Sequence, residues 1–340
     1  MTDVDVIVVG GGPVGLASAI EARLVGLSVA VIEPREGEID KACGEGLMPG
    51  ALPLLHRLGV DPEGMPLRGV SYRTPARRVD HLFRTGTGRG VRRTTLHRAL
   101  AARAEELGIA RIAARVDEIE QAADTVSAAG ITGRYLLAAD GLHSGVRRAV
   151  GLERSPRGLK RFGLRRHYAI APWNDLIEVH WTAKAEVYIT PLAPDLTGVA
   201  VLGPARTDFE SVVAGVPELA ARLAGVEAAT DLRGAGPFRQ RATRRVAGRV
   251  LLVGDASGYV DAITGEGLRL GFAQAQLAVS AIARDAPDSY EKHWRRATRD
   301  FRLLTDGLVR AANSPFRGGI VPLASALPGL YGSVVERLAR

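Results

Sequence analysis

Residues 4–34 read VDVIVVGGGPVGLASAIEARLVGLSVAVIEP. Val4 to Val9 reads as a buried strand without alternation, the pattern of a strand covered on both faces of a parallel sheet. Gly10, Gly12 and Gly15 follow as G-x-G-x-x-G. Residues 13–25 then have helical patterning, and residues 28–32 are a second strand. Glu33 ends that strand, eighteen residues after Gly15. Strand, glycine turn, helix, strand and acid together make a complete βαβ dinucleotide fingerprint.

The chemistry follows from the residue types. Bare backbone lets a pyrophosphate approach, and the helix N-terminus offers N–H donors at its positive end. Glu33 is placed to accept hydrogen bonds from ribose hydroxyls. Its charge would repel a 2′-phosphate, so the expected ligand is FAD or NAD rather than NADP.

A second stretch, GDASGYVDAITGEGLRLGF at 254–272, repeats the theme late in the chain. A short apolar strand at 249–254 precedes it, and helical patterns follow at about 266–284 and 288–312. Five glycines within nineteen residues imply that something approaches the main chain closely, because glycine there carries an entropic cost. Between these two stretches, residues 160–202 turn β-rich and read as an antiparallel sheet. Residues 69–84 look extended, and 207–225 helical. The predicted organisation is a discontinuous dinucleotide domain (1–68, 90–152 and 246–288), a β-sheet substrate domain (69–89 and 153–245) and a helical cover (289–340). Within that last segment, the uncharged stretch 318–335 contains Pro322, Pro328 and four glycines, which predicts a loop-rich cover over a pocket.

Composition narrows the class. The 340 residues are 46% hydrophobic and 24% charged, ordinary for a globular chain. One cysteine, Cys43, excludes an internal disulfide and a Cys-rich zinc site, so no metal is expected. With Asp3 and Asp5 opening the chain and no apolar leader, the expectation is a cytoplasmic protein in a reducing compartment. The net charge is +8 with only four lysines. The arginine pairs are scattered, which argues against nucleic-acid binding. They leave a solvated basic surface, or contact with an acidic membrane surface, as readings of the charge.

With these motifs in place, the chain resembles the FAD-dependent oxidoreductases of the p-hydroxybenzoate hydroxylase fold. That implies an α/β (α+β) architecture, a Rossmann-like FAD-binding domain with an antiparallel substrate sheet. Three motifs carry the resemblance in order: the fingerprint at 10–15 with Glu33; ADGLHSGVR, with Asp140, Gly141, Ser144 and Arg147; and the late Gly254–Asp255 pair. Arg93 matches an arginine that contacts the phosphate or ribose region. The resemblance implies a non-covalent FAD site that also takes in Pro13, Val14, Pro34, Arg35, Cys43, Gly44, Val116, Gly265, Glu266, Gly267 and Leu268. Asp255 would bind the ribityl chain, and the backbone at 265–267 would lie beside the flavin ring, where a helix N-terminus stabilises the reduced form. No second G-x-G-x-x-G exists, so NADH or NADPH would act as a transient reductant near Asp140 and Arg147.

DKACGEGL and GYVDAITGEGL are similar to the geranylgeranyl reductase group, which saturates isoprenoid double bonds. Gly258 and Ala262 stand where aromatic hydroxylases usually carry histidine and proline, and EVYITPL departs from the reductases' aromatic motif. The main expectation is C=C reduction of an isoprenoid or polyketide-like substrate, with Cys43 or a water as proton donor and Glu45 and Glu266 as further candidate acids. Hydroxylation of an aromatic or polyketide substrate is the alternative, and a non-catalytic flavin carrier the second. Tyr168, His180 and Tyr188 on the predicted sheet are candidate contacts for a hydrophobic or aromatic substrate.

Overall fold

A computed structural model describes residues 2–156 and 158–340. In chain order, the elements that build the site are β1 (Val4–Val9), α1 (Pro13–Leu24), β2 (Val29–Ile32), β3 (Gly69–Thr74), β4 (Arg77–Leu82), α2 (Arg93–Glu106), β5 (Ala110–Ile112), β6 (Ile131–Ala138), β7 (Arg161–Tyr168), β8 (Leu176–Trp181), β9 (Glu186–Ala193), β10 (Leu196–Pro204), β11 (Arg233–Ala235), β12 (Val250–Leu252), α3 (Gly267–Ala283), α4 (Ser289–Ala312), α5 (Ile320–Ala326) and α6 (Pro328–Ala339).

The first sheet runs β12-β6-β1-β2-β5, all parallel, with the short strand Val246–Ala247 antiparallel at one edge. Both of its faces are covered, as the apolar run Val6–Val9 of β1 predicts. Val6, Val8, Val29 and Val31 point toward α1, α2 and α3 in one apolar cluster, while Ile7, Val9 and Ile32 point the other way, onto Val126 and Val146. The late strand β12 pairs directly with β6, which brings Gly254 and Asp255 to the same sheet end as Gly10.

The second sheet runs β11-β7-β10-β9-β8-β3-β4. It is antiparallel except where β3 lies parallel to β8. Residues 69–82 therefore belong to this sheet although they precede α2 in the chain. Its far face packs Val187, Ile189, Val199 and Val201 against Phe209, Val213 and Leu219. Residues 207–225 form two short helices, Phe209–Ala214 and Pro217–Leu223. The chain breaks helix at Gly215 and restarts at Pro217, a residue suited to a first helical turn.

The segment 318–335 is helical, correcting the loop-rich expectation. Pro328 is the first residue of α6 and Pro322 the third of α5. In a first turn proline sacrifices no intrahelical hydrogen bond, so these prolines start helices instead of preventing them. α5 and α6 cover β3 and β4 and join the apolar cluster of Val70, Ile177 and Trp181 through Val321, Tyr331 and Val335.

Candidate functional site

One cavity of about 430 Å³ lies between the two sheets. Its floor is the end of β1 and the turn into α1. Gly10 has φ +103°, and a Cβ there would lie 2.6 Å from the Ala139 carbonyl oxygen, so glycine is required for the turn to pass β6. Gly12 faces open space, its nearest neighbour being Arg93 Nη2 at 3.9 Å. Gly12, Pro13 and Val14 all line the cavity.

Three cations line the same end: Arg35, Lys41 and Arg93. Burial first, then repulsion from Arg35 and Arg93, lowers the Lys41 pKa, with Asp255 pulling the other way. Lys41 Nζ sits so close to Gly141 that a Cβ there would be 3.1 Å away. Arg93 Nε is buried without a partner, and so is Asp140 Oδ1. Crowded cations beside bare backbone and a helix start fit a pyrophosphate, and the unpaired Asp140 oxygen fits a donor hydroxyl. The residues present therefore suit FAD.

Glu33 is 1% exposed. Burial alone would raise its pKa, but hydrogen bonds from the Arg35 side chain, the Gly11 N–H and the Arg35 N–H hold it below the usual carboxylate range. Gly11 N donates to Oε2 at 2.8 Å, and Arg35 Nε to Oε1 at 2.7 Å. The outer lone pairs that ribose hydroxyls would use are taken by Arg35, whose side chain is 49% exposed. Pro34 and Val116 lie outside the cavity wall, and Val116 packs onto the apolar cluster around Ile7 and Leu136.

At the other end Asp255 lines the cavity. Burial raises its pKa, against the pull of Lys41, Arg93 and Arg147. Gly265 (φ +72°), Gly267 and Leu268 open α3 toward the cavity with no side chain capping the helix. Glu266 departs from its expected role as an acid. Its carboxylate is 1% exposed, ion-paired with Arg269 and absent from the cavity wall. Burial pushes it up to about 7 in spite of Arg269.

Arg147 also departs from expectation. It is fully buried and donates to the carbonyls of Ala256 and Leu142 and to Gln240 Oε1, each at 3.1 Å. It locks the Asp140 turn to the Asp255 turn and takes no part in the cavity wall.

Sheet alternation sorts the substrate candidates. Tyr188 and Thr190 of β9, Ile177 and Val179 of β8, Ala200 and Leu202 of β10, and Tyr72 of β3 line the cavity. The Tyr188 hydroxyl donates to the Ile263 carbonyl at 2.7 Å, tying the sheet to the loop before α3. Tyr168 and His180 correct the expectation. Tyr168 lies in the far-face cluster with Leu164 and Val187. His180 is paired with Glu178 at 2.9 Å, one residue off the cavity-facing Val179. A one-position shift along a strand changes the face.

The loop that brings Cys43 and Gly44 into the wall is held by groups the sequence did not single out as a set. Glu45 is buried with φ +59°. It accepts from Arg93 N at 2.8 Å and pairs with His167 Nε2 at 2.6 Å. Burial pushes the Cys43 thiol up, Arg93 opposing, so the sulfur keeps its proton at neutral pH.

A phosphate-ready βαβ turn, two acidic turns and a helix start aimed into one cavity define a flavin enzyme, an FAD-dependent oxidoreductase. The chain belongs to the FAD binding domain family, whose model matches residues 3–286. Over 59 residues it is 48% identical to menaquinone reductase of Mycolicibacterium smegmatis, covering 17% of this chain and 14% of that protein. It is 28% identical to the 12-dehydrotetracycline 5-monooxygenase/anhydrotetracycline 6-monooxygenase of Streptomyces rimosus, covering 89% of this chain and 70% of that one. Among solved structures, the flavin-dependent brominase Bmp2 superposes with a TM-score of 0.81 at 20% identity, covering 99% of this chain and 93% of that one.

Proposed function

We propose that the protein is an FAD-dependent monooxygenase that hydroxylates an aromatic or polyketide-like small molecule, with NADH or NADPH as reductant. The observation that carries the reading is the extent of the likeness to the tetracycline monooxygenase, 89% of the chain, against a 59-residue local match to menaquinone reductase. Bound FAD supplies the electrons and the oxygen activation.

The protein's own part is to bind, orient and shield. Lys41 and Arg93, with Arg35 beside them, would hold the phosphates of bound FAD, and N–H groups at the start of α3 would stabilise the charge of its reduced ring. The walls formed by Ile177, Val179, Ala200 and Leu202 exclude water. Tyr72 lines the chamber, and burial, with Glu186 adding to it, raises its phenol pKa well above the usual value. It keeps its proton and can donate from Oη to a substrate oxygen. Tyr188 is committed to Ile263 and serves as wall.

A second reading, C=C reduction, is favoured by the protonated Cys43 thiol in the cavity wall and by the menaquinone reductase match. Turnover with NADH or NADPH over a panel of phenolic, polyketide and prenyl compounds separates the two. Label from isotopic O2 in the product supports hydroxylation; substrate consumed without O2 overturns it in favour of reduction.

A further inference from the structure

One row of cavity-facing residues crosses the substrate sheet. Its ladder sets Tyr72 of β3 beside Val179 of β8, Val179 beside Tyr188 of β9, Tyr188 beside Ala200 of β10 and Ala200 beside Arg165 of β7. All five line the cavity. Side chains in register on one face of a sheet are neighbours, so the row is a strip with a phenol at one end and a guanidinium at the other. Four strand spacings of ~4.8 Å put these ends about 19 Å apart.

The guanidinium is already committed. Arg165 is 1% exposed. Its Nη2 pairs with Asp40 and donates to the Lys41 carbonyl at 3.3 Å, its Nη1 reaches His167 Nδ1 at 3.2 Å, and its Nε stands 3.9 Å from Glu45. Two carboxylates balance its charge before any ligand arrives. The other cations of the wall, Arg35, Lys41 and Arg93, stand at the phosphate end, where the pyrophosphate of FAD would occupy them. Among the described residues, no charged side chain lies in the row from Tyr72 to Ala200.

The hydroxyls sort in the same way. Tyr188 donates to the Ile263 carbonyl, Thr190 to the Gly44 carbonyl at 2.9 Å, and Tyr331 to the Val70 carbonyl at 3.3 Å. Tyr259 lies against the first turn of α3, where a Cβ on Gly267 would stand 3.4 Å from its Oη. The Tyr72 ring is wedged against Trp181 and Tyr331, with centroids 5.4 and 5.0 Å away, and its hydroxyl makes no hydrogen bond among the described residues. Tyr72 is thus the donor that the sheet leaves for a ligand. An anion brought into such a wall would lose its hydration and gain no counter-charge, a far larger cost than a missed neutral hydrogen bond. A neutral carbonyl loses little and gains the Tyr72 donor.

We propose that the chamber selects an uncharged aromatic ketone or ester, whose carbonyl oxygen accepts from Tyr72 while its ring lies along Val179 and Ala200, and that it rejects carboxylates. This selection rests on the reading above, of a flavin enzyme acting on an aromatic or polyketide-like molecule, and adds that molecule's charge and the oxygen by which it is held.

The test titrates the FAD-loaded protein with three probes of one skeleton: 6-hydroxy-2-acetonaphthone, methyl 6-hydroxy-2-naphthoate and the free 6-hydroxy-2-naphthoate. Flavin absorbance reads binding without turnover. The ketone and the ester should bind with similar affinity, and the free carboxylate at least ~50-fold more weakly. Tyr72→Phe should weaken the ketone about 3- to 10-fold, with FAD content and melting temperature unchanged. Should that variant fail to fold, the three-probe comparison on wild-type protein still decides. A carboxylate that binds as tightly as the ketone, an ester as weak as the acid, a folded Tyr72→Phe protein that binds the ketone like wild type, or binding of none of the three would each overturn the proposal. Label from isotopic O2 in a product of the carboxylate would overturn the selectivity and leave the monooxygenase reading standing. The expected binding order with no label in any product would do the reverse.

Discussion

Glu45 Oε2 and His167 Nε2 lie 2.6 Å apart although 122 residues separate them in the chain, and this contact joins the Cys43 loop to the substrate sheet. Both residues are buried, and Arg165 Nε stands 3.9 Å from the same Glu45 oxygen. Removing one partner strands a carboxylate in a dry site, which costs far more than losing a surface pair. His167→Phe should lower stability by about 3 kcal/mol, read by chemical denaturation. A loss below about 1 kcal/mol, the scale of an exposed pair, would mean that Arg165 alone compensates Glu45.

Gly12 tests the cofactor cradle. A side chain there meets only Arg93 Nη2, so the apo fold tolerates it while the phosphate's place is taken. Gly12→Asp adds a negative charge as well. FAD affinity should fall about 100-fold or more, equivalent to ~2.7 kcal/mol, with little change in apo-protein melting. Flavin titration by fluorescence quenching measures the first and calorimetry the second.

Cys43 distinguishes the two reactions. Under the monooxygenase reading its thiol is wall, and Cys43→Ala should keep turnover within about threefold, a change under ~1 kcal/mol in the barrier. General acid catalysis typically contributes about 10²-fold or more, so a loss of that size in steady-state assays would assign the thiol a proton to deliver.

Glu266 sets a pH signature. Its folded-state pKa of about 7 lies above its ordinary 4.5, so the native state holds the proton more tightly than the unfolded chain. Its contribution is full below pH 4.5, falls as pH rises through 7, and is flat beyond. Comparing wild type with Glu266→Gln should show that slope only in wild type, amounting to about 3 kcal/mol in denaturation midpoints across that range. Parallel curves for the two proteins would show that Arg269 already keeps the carboxylate ionised.

The parts of this site that could be read in the sequence are those with local patterns. Val4–Pro34 announced β1, α1 and β2 because apolar run, glycine spacing and terminal acid are all set by near neighbours, and the late stretch at 254–272 did the same for β12 and α3. What escaped was decided by distant partners. No local signal tells that Arg147 reaches Ala256 and Gln240 in other loops or that Glu45 pairs with His167; the Glu266–Arg269 pair is an i,i+3 contact, one that spacing alone does not set apart from ordinary helix neighbours. The face of a strand was legible only as an alternation without a sign, so Tyr168, His180 and Tyr188 could not be sorted until β7 through β10 were seen together. The two C-terminal helices were hidden by Pro322 and Pro328, which act as helix starters only once the chain's direction there is known.

The substrate sheet places Gly163 of β7 against the chamber, where a Cβ would lie 2.8 Å from Phe238 Cζ and 3.1 Å from Leu202 Cδ2. On the proposed function, room for a substrate there would be measured in single methyl groups, while the flavin cradle sits on a different sheet. Substitutions at Gly163, Ala200 and Leu202 can thus retune which molecules are accepted while the redox machinery stays as it is, and a lineage or an engineer could vary the two independently.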